Sequence, residues 1–581
     1  MNLKRKFDKL LAEGQGKQLL WLLVIALVCL TLALLVVRYI FHDGTLGWQD
    51  IVAVFLDAGC FGGAGAHDGF RLVLALISTF LFSALLVSMF TNVFENICEG
   101  VRNGERRYRL SGHVLILGTG SQLANMVRQL NRNGKTVVVM SNNKPCIDGD
   151  FIYYKGAIDD EKDLQSARPD KAEAIYIIGD DSDADHDARG LCCLDLLKEL
   201  CHNVLHDTHC YLSVHDYLTT EVLQYLKQKP NESHLLVDVV NDNEYQAEQL
   251  FVDTPFLPIL KQNDSRQMQL FILGTGAVAQ AVAYTAAHLC HYPSFSEQGK
   301  RTIITFIGED MAQWRNDLMA ARPALFALSH HTLIHDNGQR EMSKPTCLPH
   351  LTNGTSDFLD IEWQFVDGSE TTPQVRQLME AACTDNYATR IVVCHSNPER
   401  AAKAALHLPK SLYAHADIAV YMSNSTKLMQ YANQSGLFGQ FTFFGPASDT
   451  CNDPLYLHRF ARGQRVNYIY CQQYKGKDSQ DSEAEWYKIS EADKYSSIYC
   501  ANAMYLRKEC YAEVSDPVAV YEAEHRRWVM SELLMGFDSG ATTDKPHFIH
   551  ADIVPFSMLP VGEQEKDKIL IDNMNYILGK Q

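Results

Sequence analysis

Hydrophobic positions along the chain fall into three distinct patterns. Near the start, residues 19–37 and 72–94 are two runs without a charged side chain, the second about 23 residues long, or roughly 34 Å as a helix. From residue 113 the pattern changes to short apolar runs that alternate with amphipathic segments, which predicts strands and helices of a doubly wound parallel sheet. One set of strands is expected at 113–118, 137–140, 151–154, 174–178 and 210–214, with a helix over 122–131. A second set is expected at 269–273, 302–307, 361–366, 390–394, 417–421 and 440–444. Residues 447–511 then read as mostly helical around a polar loop at 476–483.

The two uncharged runs are both long enough to cross a bilayer, and the sequence is read here as a two-helix membrane module over 19–95. Lys4, Arg5, Lys6, Lys9 and Lys17 precede the first run, Arg102, Arg106, Arg107 and Arg109 follow the second, and the loop between them carries aspartates only. By the positive-inside rule both termini are expected in the cytoplasm of a prokaryotic cell, with a multi-pass chain in the inner membrane. Residues 1–18 are expected as an amphipathic helix lying on the lipid surface. Between the runs, residues 47–69 give a short half-helix and then a glycine-rich stretch, the layout of a re-entrant pore loop. A selectivity filter would be Asp57, Ala58, Gly59, Cys60, Phe61, Gly62 and Gly63, with Asp57 as a carboxylate ring for monovalent or divalent cations. Phe80, Phe82 and Leu86 would close such a pore by dewetting. A plain hairpin anchor with an exposed linker is the simpler alternative, and the potassium-filter pattern TVGYG is missing from the loop.

Charge and cysteine content narrow the partners. A formal net charge of -18 argues against nucleic acid, which needs clustered Lys and Arg. The 16 Cys show no repeated metal-site spacing and read as reduced core thiols.

Leu-Gly-Thr-Gly occurs twice, ending at Gly120 and at Gly276, so the sheets are expected to be an internal duplication of about 155 residues. In the first copy Gly118, Thr119, Gly120 and Ser121 form the turn, and Ser141 stands where a dinucleotide fold places its ribose-binding acid. In the second copy the turn is Gly274, Thr275 and Gly276, and Glu309 and Asp310 end the second strand. Each turn reads either as a nucleotide cradle or as structural punctuation, because the third glycine of the fingerprint is replaced in both. No acid-base pair for hydride transfer is visible, so an enzyme is not expected.

Tyr154 to Leu164, Ala167 to Ala172, the strand from Ala174, and Gly179 to Asp183 together resemble the RCK (TrkA-N) domains that regulate potassium conductance. Two membrane helices followed by two such copies are similar to calcium- or nucleotide-gated bacterial channels and to the CASTOR/POLLUX group. The resemblance implies RCK domains at 112–266 and 267–447 after a linker at 96–111, and a homotetramer whose ring of domains pulls on the inner helix.

The acidic run after Gly179 offers Asp180, Asp181 and Asp183 as oxygen ligands for calcium, or else a solvated, helix-capping loop. After a helical connector at 448–512, residues 513–581 contain Glu524, His525 and Trp528, then Gly536-Phe537, Pro555-Phe556 and Glu565-Lys566-Asp567. These resemble the small repeat of ryanodine receptors (RyR). His525 and Trp528 lie one helical turn apart, and with Arg526, Arg527, Gly536 and Pro555 they are a candidate aromatic, basic pocket for an anionic nucleotide. Core packing of each residue is the plainer reading.

The sequence therefore predicts a helical pore module joined to two Rossmann-like α/β domains and a small helical RyR-type domain. The expected function is a ligand-gated cation channel that senses a nucleotide (NAD, ATP or a cyclic nucleotide) or calcium, with no cofactor certain. The alternatives are a membrane-anchored nucleotide-binding subunit of a separate transporter, and a defence effector that depolarises the cell.

Overall fold

The computed structural model describes residues 15–41, 48–56, 68–204, 206–224, 234–346, 348, 350–351, 357–423, 427–446, 453–475 and 482–579 of the 581-residue chain. Two compact units divide at residue 107.

The first unit is helical. Helix α1 (Gln15–Val36) runs into a π turn at Val37–Phe41, followed by the short α2 (Trp48–Leu56) and the long α3 (Asp68–Arg102). Ala33, Val37, Ile51, Val54, Leu74 and Ala75 bury a small core, while Phe80, Phe90 and Phe94 on α3 are largely exposed. Among the described residues no helix is long and apolar enough to cross a membrane, which overturns the transmembrane pore module and the multi-pass inner-membrane placement. The first helix gives way to its π turn beside Arg38, and the second run carries Ser78, Thr79, Ser83, Ser88, Thr91 and Asn92 among its apolar residues. The proposed filter from Asp57 to Gly63, and most of the surface helix at 1–18, lie outside the described residues, as do the side chains of Phe82 and Leu86.

The second unit is built on two parallel sheets. The first has the order β3-β2-β1-β4-β5-β6, from strands His113–Gly118 (β1), Val137–Ser141 (β2), Ile152–Lys155 (β3), Ala172–Gly179 (β4), Thr208–Val214 (β5) and Leu235–Asn241 (β6). This is the doubly wound order with its switch point between β1 and β4. Helices α4 (Leu123–Arg132), α5 (His186–Leu200) and α6 (Asp242–Phe251) pack against it. One face carries Leu115, Val138, Ile175 and Leu212, and the other Ile116, Val139, Tyr176 and Tyr211. β1 is buried throughout, as a parallel strand covered on both faces must be.

The second sheet has eight strands in the order β10-β9-β11-β8-β7-β12-β13-β14. They are Gln267–Leu273 (β7), Thr302–Gly308 (β8), His330–Ile334 (β9), Arg340–Ser343 (β10), Ile361–Asp367 (β11), Tyr387–Val393 (β12), Asp417–Tyr421 (β13) and Phe441–Phe444 (β14). Only β10 is antiparallel, pairing with β9 at the sheet's edge. The Ala-rich α7 (Ala277–Leu289) follows β7 and is buried along nearly its whole length.

After the second sheet come the helices α8 (Leu457–Lys475), α9 (Glu491–Cys510), α10 (Pro517–Leu534) and α11 (Val561–Asp572), among shorter ones. Phe460, Trp486 and Ile498 join the core of the first sheet, whereas Tyr495, Tyr499, Val529, Met530 and Leu533 join that of the second. These helices thus share hydrophobic cores with both sheets.

Candidate functional site

The main cavity of the carboxyl-terminal helices, about 370 Å³, lies between α8, α9, α10, α11 and the loop that follows α10. Its geometry begins with α10. Asp516 caps this helix by accepting from the Val518 amide at 3.0 Å, and Pro517 occupies the first turn, where its missing N–H costs nothing. The helix is buried nearly all round, so its polar side chains must find partners inside the protein.

Most of them do. Arg526 donates to Asp360 at 3.1 Å and to Ser296 at 3.2 Å, and Arg527 donates to Glu524 at 2.7 Å and to Ser531 at 2.9 Å. His525 is bonded to the Val554 carbonyl at 2.8 Å and lies 3.3 Å from Asp567. Glu532 differs. It is 6% exposed, lines the cavity, and among the described residues its carboxyl has no hydrogen-bond or ion-pair partner. Burial raises its pKa to about 8, so at neutral pH the group is mostly the uncharged acid.

Trp528, one turn before Glu532, supplies the aromatic wall. Its ring lies 5.6 Å from that of His525 and 4.9 Å, edge-on, from that of His550. Burial lowers the His550 pKa to about 4, so this imidazole is neutral. Burial also raises the carboxyls of Asp552 and Asp567. Lys545 and Lys566 stand at the solvent-facing rim, with side chains 59% and 40% exposed, beside Asp493 and Glu563 respectively. The arrangement is a mixed cavity in which Trp528, His525, His550 and the Glu532 carboxyl share a lining with Asp493, Asp552, Glu563, Asp567 and the two lysines.

This differs from the pocket expected from the sequence. His525 and Trp528 line the cavity, but Arg526 and Arg527 point into buried ion pairs elsewhere, and Gly536 and Pro555 are not among the lining residues. Gly536 instead closes α10 in a left-handed conformation, φ +94°. Glu532 was legible in principle, because positions 525, 528 and 532 fall on one helical face.

The walls of the cavity are tied to both sheets. On α9, Lys494 donates to the Val237 carbonyl and to Asp238 at 2.9 Å each, and it pairs with Glu491 at 2.8 Å. Tyr499 donates to Glu244, and Arg459 of α8 is held by Glu244 and Glu248. On α10, Ser531 bonds His288, and Arg322 donates to the Leu534 carbonyl.

The glycine turns present a different picture. Gly118 has φ +117°, and a Cβ there would stand 2.0 Å from the Gly179 oxygen. A crevice of about 80 Å³ is lined by Gly118, Thr119, Ser141 and Asp180, among others. The Ser121 amide, however, donates to the Asp181 carboxylate at 2.8 Å, so the protein's own acid occupies the position that a dinucleotide fold reserves for phosphate. Ser141 donates to the Asn143 carbonyl at 2.7 Å. In the second copy Gly274 and Gly276 also have positive φ, Thr275 is exposed, and Glu309 and Asp310 are exposed at the end of β8.

The acidic run does not converge on one ion. Asp180 accepts from Ser182, Asp181 from Ser121, and Asp183 from Arg189 and the Asp185 amide. The described His, Cys and acidic side chains that do converge are Asp181, His186 and His215. Both ring nitrogens of His186 are engaged, with Asp187 at 2.9 Å and the Ile178 carbonyl at 3.1 Å, so this imidazole presents no free lone pair to an ion.

No family model matches the chain, and no curated protein matches it. Among solved structures it is similar to GsuK bound to ADP, at 16% identity and TM-score 0.39, covering 75% of this chain and 96% of that one. It is also similar to the GsuK channel bound to NAD, at 14% identity and TM-score 0.39, covering 75% and 82% respectively. A third neighbour is the human SLO3 gating ring, at 10% identity and TM-score 0.35, covering 59% and 81%.

Proposed function

We propose that this chain is a nucleotide-sensing regulatory protein and that the cavity beside Trp528 is its sensor. The observation that carries the proposal is the pairing, in one cavity of about 370 Å³, of the Trp528 wall and the buried Glu532 carboxyl with Lys545 and Lys566, among the further carboxyls of Asp493, Asp552, Glu563 and Asp567. A nucleotide has the matching polarity: a flat base for the compartment and an anionic phosphate for Lys545 and Lys566. The RCK resemblance of residues 154–183 supports regulation of cation flux through a channel as the output, with self-assembly into a ring as the working form. Binding, not catalysis, is the activity.

Transmission follows from the ties described above. A ligand that draws α9 and α10 together acts at once on β6 through Lys494 and on the second domain through Arg526 and Ser531. Calorimetric titration of the full chain with AMP, ATP, NAD and cyclic AMP tests the sensor. At least one is expected to bind, and Trp528→Ala is expected to weaken it roughly 10- to 100-fold, the range of one lost base stack. Unchanged binding in a folded Trp528→Ala protein refutes the proposal.

A further inference from the structure

We infer that Glu532 reads the edge of the ligand's base as an uncharged carboxylic acid, donating one hydrogen bond from its O–H and accepting another at its carbonyl oxygen. This rests on the nucleotide reading above and names the chemical class it takes: a planar ring presenting a hydrogen-bond donor beside an acceptor, as the N6 amino group and N1 of adenine do.

Three observations lead there. Glu532 is 6% exposed, borders the cavity and has no side-chain hydrogen bond among the described residues, so its carboxyl is open to a complement. Among its neighbours on α10, Arg526, Arg527 and Ser531 are engaged, and Glu524 accepts from Arg527 at one oxygen while the other has no hydrogen bond. Trp528 lies one turn away on the same helical face, and both side chains line the cavity, so a ring held there has the indole and the carboxyl as neighbours. Burial raises the Glu532 pKa to about 8, with Asp493 adding to the rise and Lys545 and Arg527 opposing it, and the acid form selects the type of partner. An ionised carboxylate offers acceptors only and favours two adjacent donors or a cation, whereas the acid offers one donor and one acceptor.

The experiment follows from an isosteric substitution. Glutamine carries the same one-donor, one-acceptor pair, so Glu532→Gln is expected to keep AMP affinity within about threefold, while Glu532→Ala loses about tenfold or more. Titrations use the full-length chain with AMP, the other three nucleoside monophosphates and ribose 5-phosphate, and each variant's melting curve is recorded to show that it folds. Ribose 5-phosphate, which has no base, is expected to bind at least tenfold more weakly than AMP. If Glu532→Gln falls as far as Glu532→Ala, an ionised carboxylate is required and the inference is overturned while the nucleotide reading stands. Equal binding of AMP and ribose 5-phosphate overturns it as well. If no nucleoside monophosphate binds the unmodified chain, both readings fail together.

Discussion

Replacing Lys494 with methionine tests the tie between the sensor wall and the first sheet. The ammonium group is 1% exposed and bonds the Val237 carbonyl, Asp238 and Glu491, with the Tyr487 ring 4.7 Å away. Burial alone would lower its pKa, but Asp238 and Glu491 raise it above the ordinary value. Methionine preserves the aliphatic stem and removes the charge, leaving two buried carboxylates. Asp238 keeps its bonds from the Trp486 indole at 2.9 Å and the Tyr487 hydroxyl at 2.8 Å, so the deficit falls mainly on Glu491. Breaking one side of a buried ion pair costs about 3–5 kcal/mol, and the local stability of α9 and β6 is expected to fall by that amount at pH 8. Burial already raises the Glu491 pKa, so in the variant this carboxyl takes up a proton that the unfolded chain, near 4.3, does not hold at the same pH. The folded state then binds more protons, and the loss shrinks as the pH is lowered from 8 to 5. Hydrogen exchange across Glu491–Cys510 and Leu235–Asn241 reads this directly. A change below about 1 kcal/mol, or a loss that does not depend on pH, refutes the reasoning.

Two other perturbations are informative. Gly118→Ala forces a Cβ to within 2.0 Å of the Gly179 oxygen at φ +117°, and a loss of at least about 2 kcal/mol in denaturant unfolding is expected. Asp360 is buried, yet His291 and Arg526 hold its pKa down to about 2, so its contribution is present above the unfolded value near 3.9 and lost as pH falls toward 2. Arg526→Leu removes one of these partners, and the acid-unfolding midpoint, followed by circular dichroism, is expected to move to higher pH.

The parallel sheets were legible because their strands are short apolar runs punctuated by glycine turns, and His113–Gly118 and Asp417–Tyr421 stand where the pattern put them. β6 was missed although Leu235–Asn241 is strongly apolar, since a polar stretch separates it from the strand before. β10, with the sequence Arg-Glu-Met-Ser, has no alternation to detect. The aromatic half of the cavity was visible as His525 and Trp528 on one face. Its charge balance was not, because the partner that removes Arg526 from the pocket is Asp360, more than 160 positions away. The membrane reading rested on the uncharged runs at 19–37 and 72–94, whereas no described helix is long and apolar enough to cross a membrane.

Helix α6 has a consequence for any attempt to dismantle the molecule. Nearly every residue from Asp242 to Phe251 is buried, and its acids Glu244 and Glu248 are satisfied by an arginine that arrives about 210 positions later. A fragment cut after the first sheet would therefore present a helix with apolar and acidic faces both bare, prone to fray or aggregate. The second unit is one piece of machinery, and its parts are best probed by point changes in the intact chain instead of by excision.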